Sequence, residues 1–201
     1  LAADVDDYLR IAENLAEWGT FGFADSPTAF RPPLYPLMLT PLYWLQSWLG
    51  VPWGWRVSAI SFLHVGWGVA TVLLTYRAAQ GFGLQTWSVF AAILVALDPL
   101  LLHNTRLPMT ETPAALFVIA SLCLLAAGGR NVDSRSWWAA GLVLGLGMLC
   151  RTTMWAFAVL ATLSLTLFSE GARQHRLKRA GTVLAIALTI QLPWGIRNWF
   201  A

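Results

Sequence analysis

Long apolar segments, separated by short charged ones, make up most of this chain. Runs that can cross a bilayer as helices lie at residues 57–76, 84–102, 112–128, 152–169 and 180–196, with a shorter one at 137–149. Helices are expected because hydrocarbon offers no partner to backbone N–H and C=O groups. The pattern predicts an all-α fold, a polytopic bundle with about six transmembrane helices between residues 57 and 196.

Residues 1–49 have a different pattern. Apolar residues recur every three or four positions over residues 5–18, which predicts an amphipathic helix. Residues 37–49 form an apolar run that is short for a membrane span and contains Pro41. A full span there would place the acidic opening segment in the cytoplasm, whereas a short interfacial helix would place it outside. We favour the interfacial helix.

The basic loops indicate the orientation. Residues 170–179 and 128–135 carry most of the positive loop charge and should be cytoplasmic. With residues 37–49 in the interface, counting crossings back from these loops places the acidic opening segment, residues 103–111, Arg151 and Arg197 together on the outer face. The loop charges therefore predict a cluster of charged groups at one membrane surface.

Composition fixes the class of protein. The chain is 57% hydrophobic and 11% charged, well below the charged fraction of about 25% in soluble domains. An integral membrane protein is expected, and the net charge of +3 does not indicate a nucleic-acid partner. Cys123 and Cys150 fall in apolar runs, and the sequence has neither CxxC nor HExxH, so no metal site is predicted.

The acidic opening segment offers candidate catalytic groups. Asp4 precedes the first helical pattern, where it could cap a helix or serve as a general base for an acceptor hydroxyl or amine. Asp6 and Arg10 are four residues apart and could form an exposed ion pair on that helix. Arg31 stands before two prolines that stiffen the backbone, so it could grip a phosphate or reach lipid headgroups.

Charges at membrane depth are costly and point to function. Arg106 and Glu111 share the segment HNTRLPMTE, and Arg151 interrupts an otherwise apolar stretch. Arg106, Glu111 and Asp98, which lies near the outer end of the preceding run, could simply pair with each other, whereas Arg151 is harder to explain in this way. His64 is expected to be a hydrogen-bonded residue inside the bundle rather than a ligand.

Five motifs occur in an order found in a known superfamily. They are Asp4 and Tyr8 followed by IAENL, then PTAFRPPLYP, TRLPMTE, GLVLGLGMLCRTT and LPWGIRN. Together they cover nearly the whole chain. This order resembles the GT-C superfamily of polytopic glycosyltransferases, closest to bacterial relatives of dolichyl-phosphate-mannose protein mannosyltransferases and of the aminoarabinose transferase that modifies lipid A.

The resemblance implies an inverting enzyme of the bacterial cytoplasmic membrane. It would move a sugar from a polyprenyl phosphate carrier to a lipid, glycan or protein acceptor on the outer face. It assigns Asp4 as the catalytic residue and Arg31 as the ligand of the carrier phosphate. Further substrate-binding candidates are Tyr8, Arg106, Glu111 and Arg151. No cofactor is implied with certainty, and a divalent cation remains open.

The chain also departs from the family pattern. Relatives have a transmembrane helix before the catalytic Asp and further spans after LPWGIRN, so residues 1–201 are expected to be a partial transmembrane domain, with residues 1–49 as the outer loop with juxtamembrane helices. Two other functions stay open, a lipid-linked-sugar transporter and a non-catalytic scaffold. Transporters often consist of two related halves, and no such internal symmetry is visible here.

Overall fold

The predicted all-α fold is confirmed. The computed structural model describes residues 4, 6–130, 134–169 and 171–200. The helices of these residues are α1 Tyr8–Trp18, α2 Leu34–Leu49, α3 Trp53–Gly81, α4 Trp87–Ala96, α5 Pro99–Asn104, α6 Glu111–Arg130, α7 Ser134–Cys150, α8 Met154–Phe168 and α9 Arg173–Trp199. The segment that joins α1 to α2 contains a short antiparallel hairpin with two residues in each strand, β1 Gly22–Phe23 and β2 Ser26–Pro27.

Helix α7 occupies the centre of the bundle, packed between α6 and α9. Gly141 and Gly145, four residues apart, let α9 approach closely: a Cβ added at Gly141 would lie 2.8 Å from the Val183 carbonyl oxygen. Small residues at this spacing favour close helix packing in membranes, where burial of apolar surface gives no extra driving force. Helix α8 lies against α9, and α3 bridges α4 and α6.

Within the described residues, three helices are long and apolar enough to span a membrane: α3, Glu111–Gly128 of α6, and α9. Helices α4 and α8 are apolar but shorter. Large apolar side chains such as Leu73, Leu94 and Leu192 are more than half exposed, as expected for surfaces that face lipid. The protein is thus an integral membrane protein, while the expected six crossings stay a prediction.

The apolar run at 84–102 is not one helix, contrary to expectation. Helix α4 ends at Ala96, and α5 begins at Pro99 after Asp98, whose Oδ1 accepts a 2.8 Å hydrogen bond from the Leu101 N–H. Proline disfavours a helical residue before it and suits the first position of a new helix. The apolar composition was read correctly, but the Asp98-Pro99 break divides it.

Helices α1 and α2 pack on each other and on α3. Tyr8, Tyr35, Leu39 and Ile60 are buried in their shared core. Helix α2 has 16 residues, so at about 1.5 Å per residue it is shorter than the roughly 30 Å hydrocarbon core. This length agrees with an interfacial helix, which remains a prediction. His64 is fully buried, with Nε2 2.7 Å from the Tyr35 hydroxyl, which confirms its expected place inside the bundle.

The close approach of α7 and α9 should be sensitive to a single methyl group. We expect Gly141→Ala to lower the free energy of unfolding by about 1–3 kcal/mol, since its Cβ would meet the α9 backbone. Gly66→Ala on α3 is the matched control, because no atom lies within 4 Å of its added Cβ and alanine favours the helix by up to about 1 kcal/mol. Thermal unfolding in detergent measures both. Equal midpoints for the two variants would contradict the packing role of Gly141.

Candidate active site

Most of the predicted site residues meet where the start of α1, the segment before α2, the start of α6 and the end of α7 come together. A chain of side-chain contacts runs from Asp6 through Arg31 and Tyr8 to Arg151. These groups come from four separate parts of the sequence, so the site exists only when the bundle is assembled.

Asp4 caps α1 from outside the helix. Its Oδ2 accepts hydrogen bonds from the N–H groups of Leu9, at 2.9 Å, and Arg10, at 3.2 Å. The capping hypothesis is therefore right about its side chain, although Asp7 is the residue that directly precedes the helix. Asp4 Oδ1 is shielded from solvent and has no hydrogen-bond partner among the described residues. This oxygen is left to accept a proton.

Burial controls the acidity of Asp4. Loss of solvent raises the pKa of its carboxyl above the ordinary value, and the backbone N–H groups at the start of α1 oppose this rise. The nearby carboxylate of Asp7 adds a smaller rise in the pKa. A carboxylate held in this way is a better proton acceptor than one in water.

Arg31 is fixed by four contacts. Its Nη2 lies 2.6 Å from Asp6 Oδ1, its Nε donates to the Asp6 carbonyl at 3.1 Å, and its guanidinium lies over the rings of Phe30 at 4.3 Å and Tyr8 at 5.4 Å. The expected Asp6–Arg10 pair is wrong. Arg10 instead lies over the Phe23 ring, and Asp6 precedes the helix, where four-residue spacing no longer brings side chains together.

Arg151 and Glu111 form the second half of the site. Arg151 Nη1 lies 2.7 Å from Glu111 Oε1 and donates to the Thr110 hydroxyl at 3.0 Å. Thr110 also lies beside Tyr8: burial raises the pKa of the Tyr8 hydroxyl, and the neighbouring Thr110 side chain opposes this rise, which brings the pair next to α1. Glu111 Oε2 is buried without a partner in the described part of the chain. The two charges pair across helices, as intramembrane charges tend to do.

Arg106 does not join this network. It lies in the turn between α5 and α6, its side chain is exposed, and no ion pair connects it to a described residue. Thus four of the six predicted site residues lie in one connected region, Asp4 caps the helix that carries one of them, and Arg106 is separate.

A cleft of about 720 Å³ opens beside Arg31. We call it the Arg31 cleft. Its walls come from the segment before α2, the end of α7, the start of α8 and the second half of α9, and include Phe30, Arg31, Pro33, Leu149, Trp155, Leu188, Gln191 and Trp194. A mostly apolar wall with one guanidinium suits an amphipathic molecule with an anionic head.

Arg197 is a residue whose role the sequence did not reveal. Its Nη1 donates to the Thr28 carbonyl at 2.6 Å and its Nη2 to the Phe21 carbonyl at 2.9 Å. The guanidinium lies 4.9 Å from the centre of the Trp194 ring. Arg197 thereby fastens the end of α9 to the chain just before Arg31. Its place in the motif LPWGIRN and its predicted position on the outer face did not indicate this anchoring contact.

No group of three or more His, Cys, Asp or Glu side chains is placed to hold a metal ion in the residues that the structure describes.

The fold and the site define a helical membrane protein with a charged cluster beside an apolar cleft. The sequence profile of the family "Dolichyl-phosphate-mannose-protein mannosyltransferase" matches residues 31–196, which include Arg31, Glu111 and Arg151. The chain therefore belongs to this family of GT-C membrane glycosyltransferases. No curated protein and no solved structure gives a significant match. Asp4 and Tyr8 precede the matched segment.

The Arg151–Glu111 contact can be measured by a double-mutant cycle. Both side chains are about one-quarter to one-third exposed, so water screens the pair only in part. We expect a coupling energy of roughly 1 kcal/mol between Arg151→Met and Glu111→Gln, from unfolding midpoints in detergent. The same cycle between Arg106→Met and Glu111→Gln serves as the control and should give no coupling. Coupling of equal size in both cycles would contradict the pairing.

Proposed function

We propose that the protein transfers a sugar from a polyprenyl phosphate carrier to an acceptor at the outer face of a bacterial cytoplasmic membrane. The observation that carries this proposal is the free, buried Oδ1 of Asp4 just before α1, the helix whose Tyr8 lies under the Arg31 guanidinium that lines the apolar cleft. Family membership supports a membrane glycosyltransferase, and the site chemistry supports the lipid-phosphate donor.

Asp4 is the proposed general base. The acceptor hydroxyl or amine gives its proton to the Asp4 carboxylate as its oxygen or nitrogen bonds to the anomeric carbon of the sugar. The bond between that carbon and the phosphate oxygen breaks, and its electron pair leaves with the polyprenyl phosphate. A single displacement inverts the anomeric carbon. The raised pKa of Asp4 makes its carboxylate a stronger base for this step.

Arg31 is the proposed phosphate ligand. Asp6 engages its Nε and Nη2, and Nη1 has no hydrogen bond to a described residue. The ion pair orients the guanidinium and leaves N–H groups for the phosphate oxygens, where negative charge grows as the sugar departs. The isoprenoid chain would lie along the apolar wall of the Arg31 cleft.

The second ion pair has a supporting role in this proposal. Arg151 adds positive potential near the leaving phosphate, Glu111 keeps Arg151 in place, and Tyr8 connects both to Arg31. Arg106 is exposed, so it would contact only a part of a substrate that extends toward the turn before α6. The proposed topology is multi-pass with this whole region outside.

Removing the base and the phosphate ligand should abolish transfer while the fold survives. We expect Asp4→Asn to lower the rate by about 10²-fold or more, because the amide can still cap α1 but cannot accept the proton. Arg31→Ala should cost about 10²- to 10³-fold. The assay is transfer of radiolabelled sugar from a polyprenyl phosphate donor in membranes that contain each variant at equal expression.

Asp25→Asn and Arg10→Ala are the matched controls for that assay. Both side chains are exposed and lie outside the cluster, so transfer should stay near the wild-type rate. Undiminished transfer by Asp4→Asn would show that another acid is the base. Absence of transfer by the wild-type protein with any donor would favour a transporter or a scaffold.

The pH profile reports the ionisation of the base. Because the pKa of Asp4 is raised, its carboxylate form is lost at a higher pH than for an ordinary Asp, near 3.9. We expect the transfer rate to fall roughly tenfold per pH unit below a midpoint that lies above this value. The contribution of Asp4 to the free energy of unfolding should fall as pH rises. The folded state binds this proton more tightly than the unfolded state, so the contribution is greatest at low pH, where the carboxyl is protonated. A midpoint at or below the ordinary value would contradict the assignment.

A further inference from the structure

A second cleft lies at the other end of α1. Its volume is about 760 Å³, and it is formed by the second halves of α1 and α2 and the start of α3. We call it the Arg56 cleft. Its lining is mostly polar or aromatic and includes Glu13, Glu17, Tyr43, Trp44, Gln46, Ser47, Trp53 and Arg56. In composition it is the opposite of the apolar Arg31 cleft.

The polar groups of this cleft are held in place. Arg56 Nη1 lies 3.0 Å from Glu13 Oε1, and the Arg56 side chain is only 12% exposed. The same guanidinium lies 4.2 Å from the centre of the Tyr43 ring. One wall therefore presents a carboxylate and a guanidinium in a fixed arrangement, so a ligand would meet them with little loss of side-chain entropy.

Two indole rings of the lining are more than half exposed, although the Arg56 guanidinium lies 5.9 Å from the centre of the Trp53 ring. Trp44 and Trp53 are 56% and 63% exposed, and the Trp44 Nε1–H donates to the Ala16 carbonyl at 3.1 Å, which fixes that indole against α1. Aromatic faces stack on the C–H faces of sugar rings, while carboxylates and guanidinium groups hydrogen-bond the hydroxyls. An apolar lipid tail would instead meet charged groups here and leave them unsolvated.

The Arg56 cleft is connected to the proposed base. The Tyr43 hydroxyl, on the cleft wall, donates to the Leu9 carbonyl at 2.7 Å, and the Leu9 N–H donates to Asp4 Oδ2 at 2.9 Å. One residue thus separates the wall of the cleft from the carboxylate. A ligand in the cleft could extend along α1 to bring a hydroxyl to Asp4.

We propose that the Arg56 cleft binds the acceptor and that this acceptor is a glycan. The identity of the bound glycan as acceptor rests on the proposed function, whereas the glycan site itself does not. A hydroxyl of the glycan is then the group that gives its proton to Asp4 and bonds to the anomeric carbon. Donor and acceptor enter from different clefts and meet at the start of α1.

Binding tests the site without any need for turnover. The probe is the set of oligosaccharides released by mild acid from the envelope polysaccharide of the expression host, with saturation-transfer NMR on the purified protein in lipid nanodiscs. We expect binding by the wild type and a loss of about threefold to tenfold in Trp53→Ala, the effect of one aromatic contact. Trp48→Ala is the matched control, because Trp48 is 81% exposed on α2 and does not line the cleft.

The outcomes separate the two proposals. Absence of binding by the wild type, or equal binding by Trp53→Ala, overturns the glycan site. In the transfer assay, Trp53→Ala should lower the ratio of sugar transfer to donor hydrolysis by a similar factor. The labelled product should also resist protease digestion, as a glycan does. Label in protein overturns the glycan acceptor. Glycan binding without any donor turnover leaves the site standing and contradicts only the proposed transferase reaction.

Discussion

The site depends on the burial of Tyr8. This side chain is 4% exposed, meets Tyr35 edge to face with ring centres 5.1 Å apart, lies under the Arg31 guanidinium, and has Thr110 as a neighbour. It thereby lies between the segment before α2, α2 itself and the start of α6. Without it, Asp6–Arg31 and Glu111–Arg151 would be two unrelated surface ion pairs, each contributing little.

Burial of charge sets the second constraint. A half-buried carboxylate or guanidinium is costly unless it is paired, and Arg31, Arg56 and Arg151 each have a carboxylate partner. Asp4 has no such ion pair, and backbone N–H groups compensate its charge. Burial raises its pKa despite these N–H groups, which suits a general base. The buried carboxylate that lacks an ion-pair partner is therefore the one best suited to accept a proton.

The sequence predicted the class of fold well because membrane helices follow from local composition. Prediction from the sequence failed where a helix is interrupted locally or where a side chain contacts a residue far away in the sequence. The Asp98-Pro99 pair divides one apolar run, and a left-handed backbone at Asp7, with φ 60°, ends the register that would have paired Asp6 with Arg10. The Glu111–Arg151 pair spans two helices and could not be read from spacing. The loop charges predicted that the opening segment, residues 103–111 and Arg151 lie together, and in the structure exposed Arg106 is separate from the cluster. The functional roles that motif order assigned stay a prediction.

The two clefts near α1 differ in the kind of molecule that their linings can solvate. The Arg31 cleft, near the start of α1, is lined mostly by apolar groups, and the Arg56 cleft, along its second half, mostly by polar ones. A lipid-linked donor needs hydrocarbon along its path, and a hydroxylated acceptor needs hydrogen bonds, so neither could use the cleft of the other without losing solvation. In the proposed reaction the two substrates would meet near the start of α1, where Asp4 caps the helix. Because each substrate is solvated by its own cleft, only the reacting groups would need to leave that surrounding.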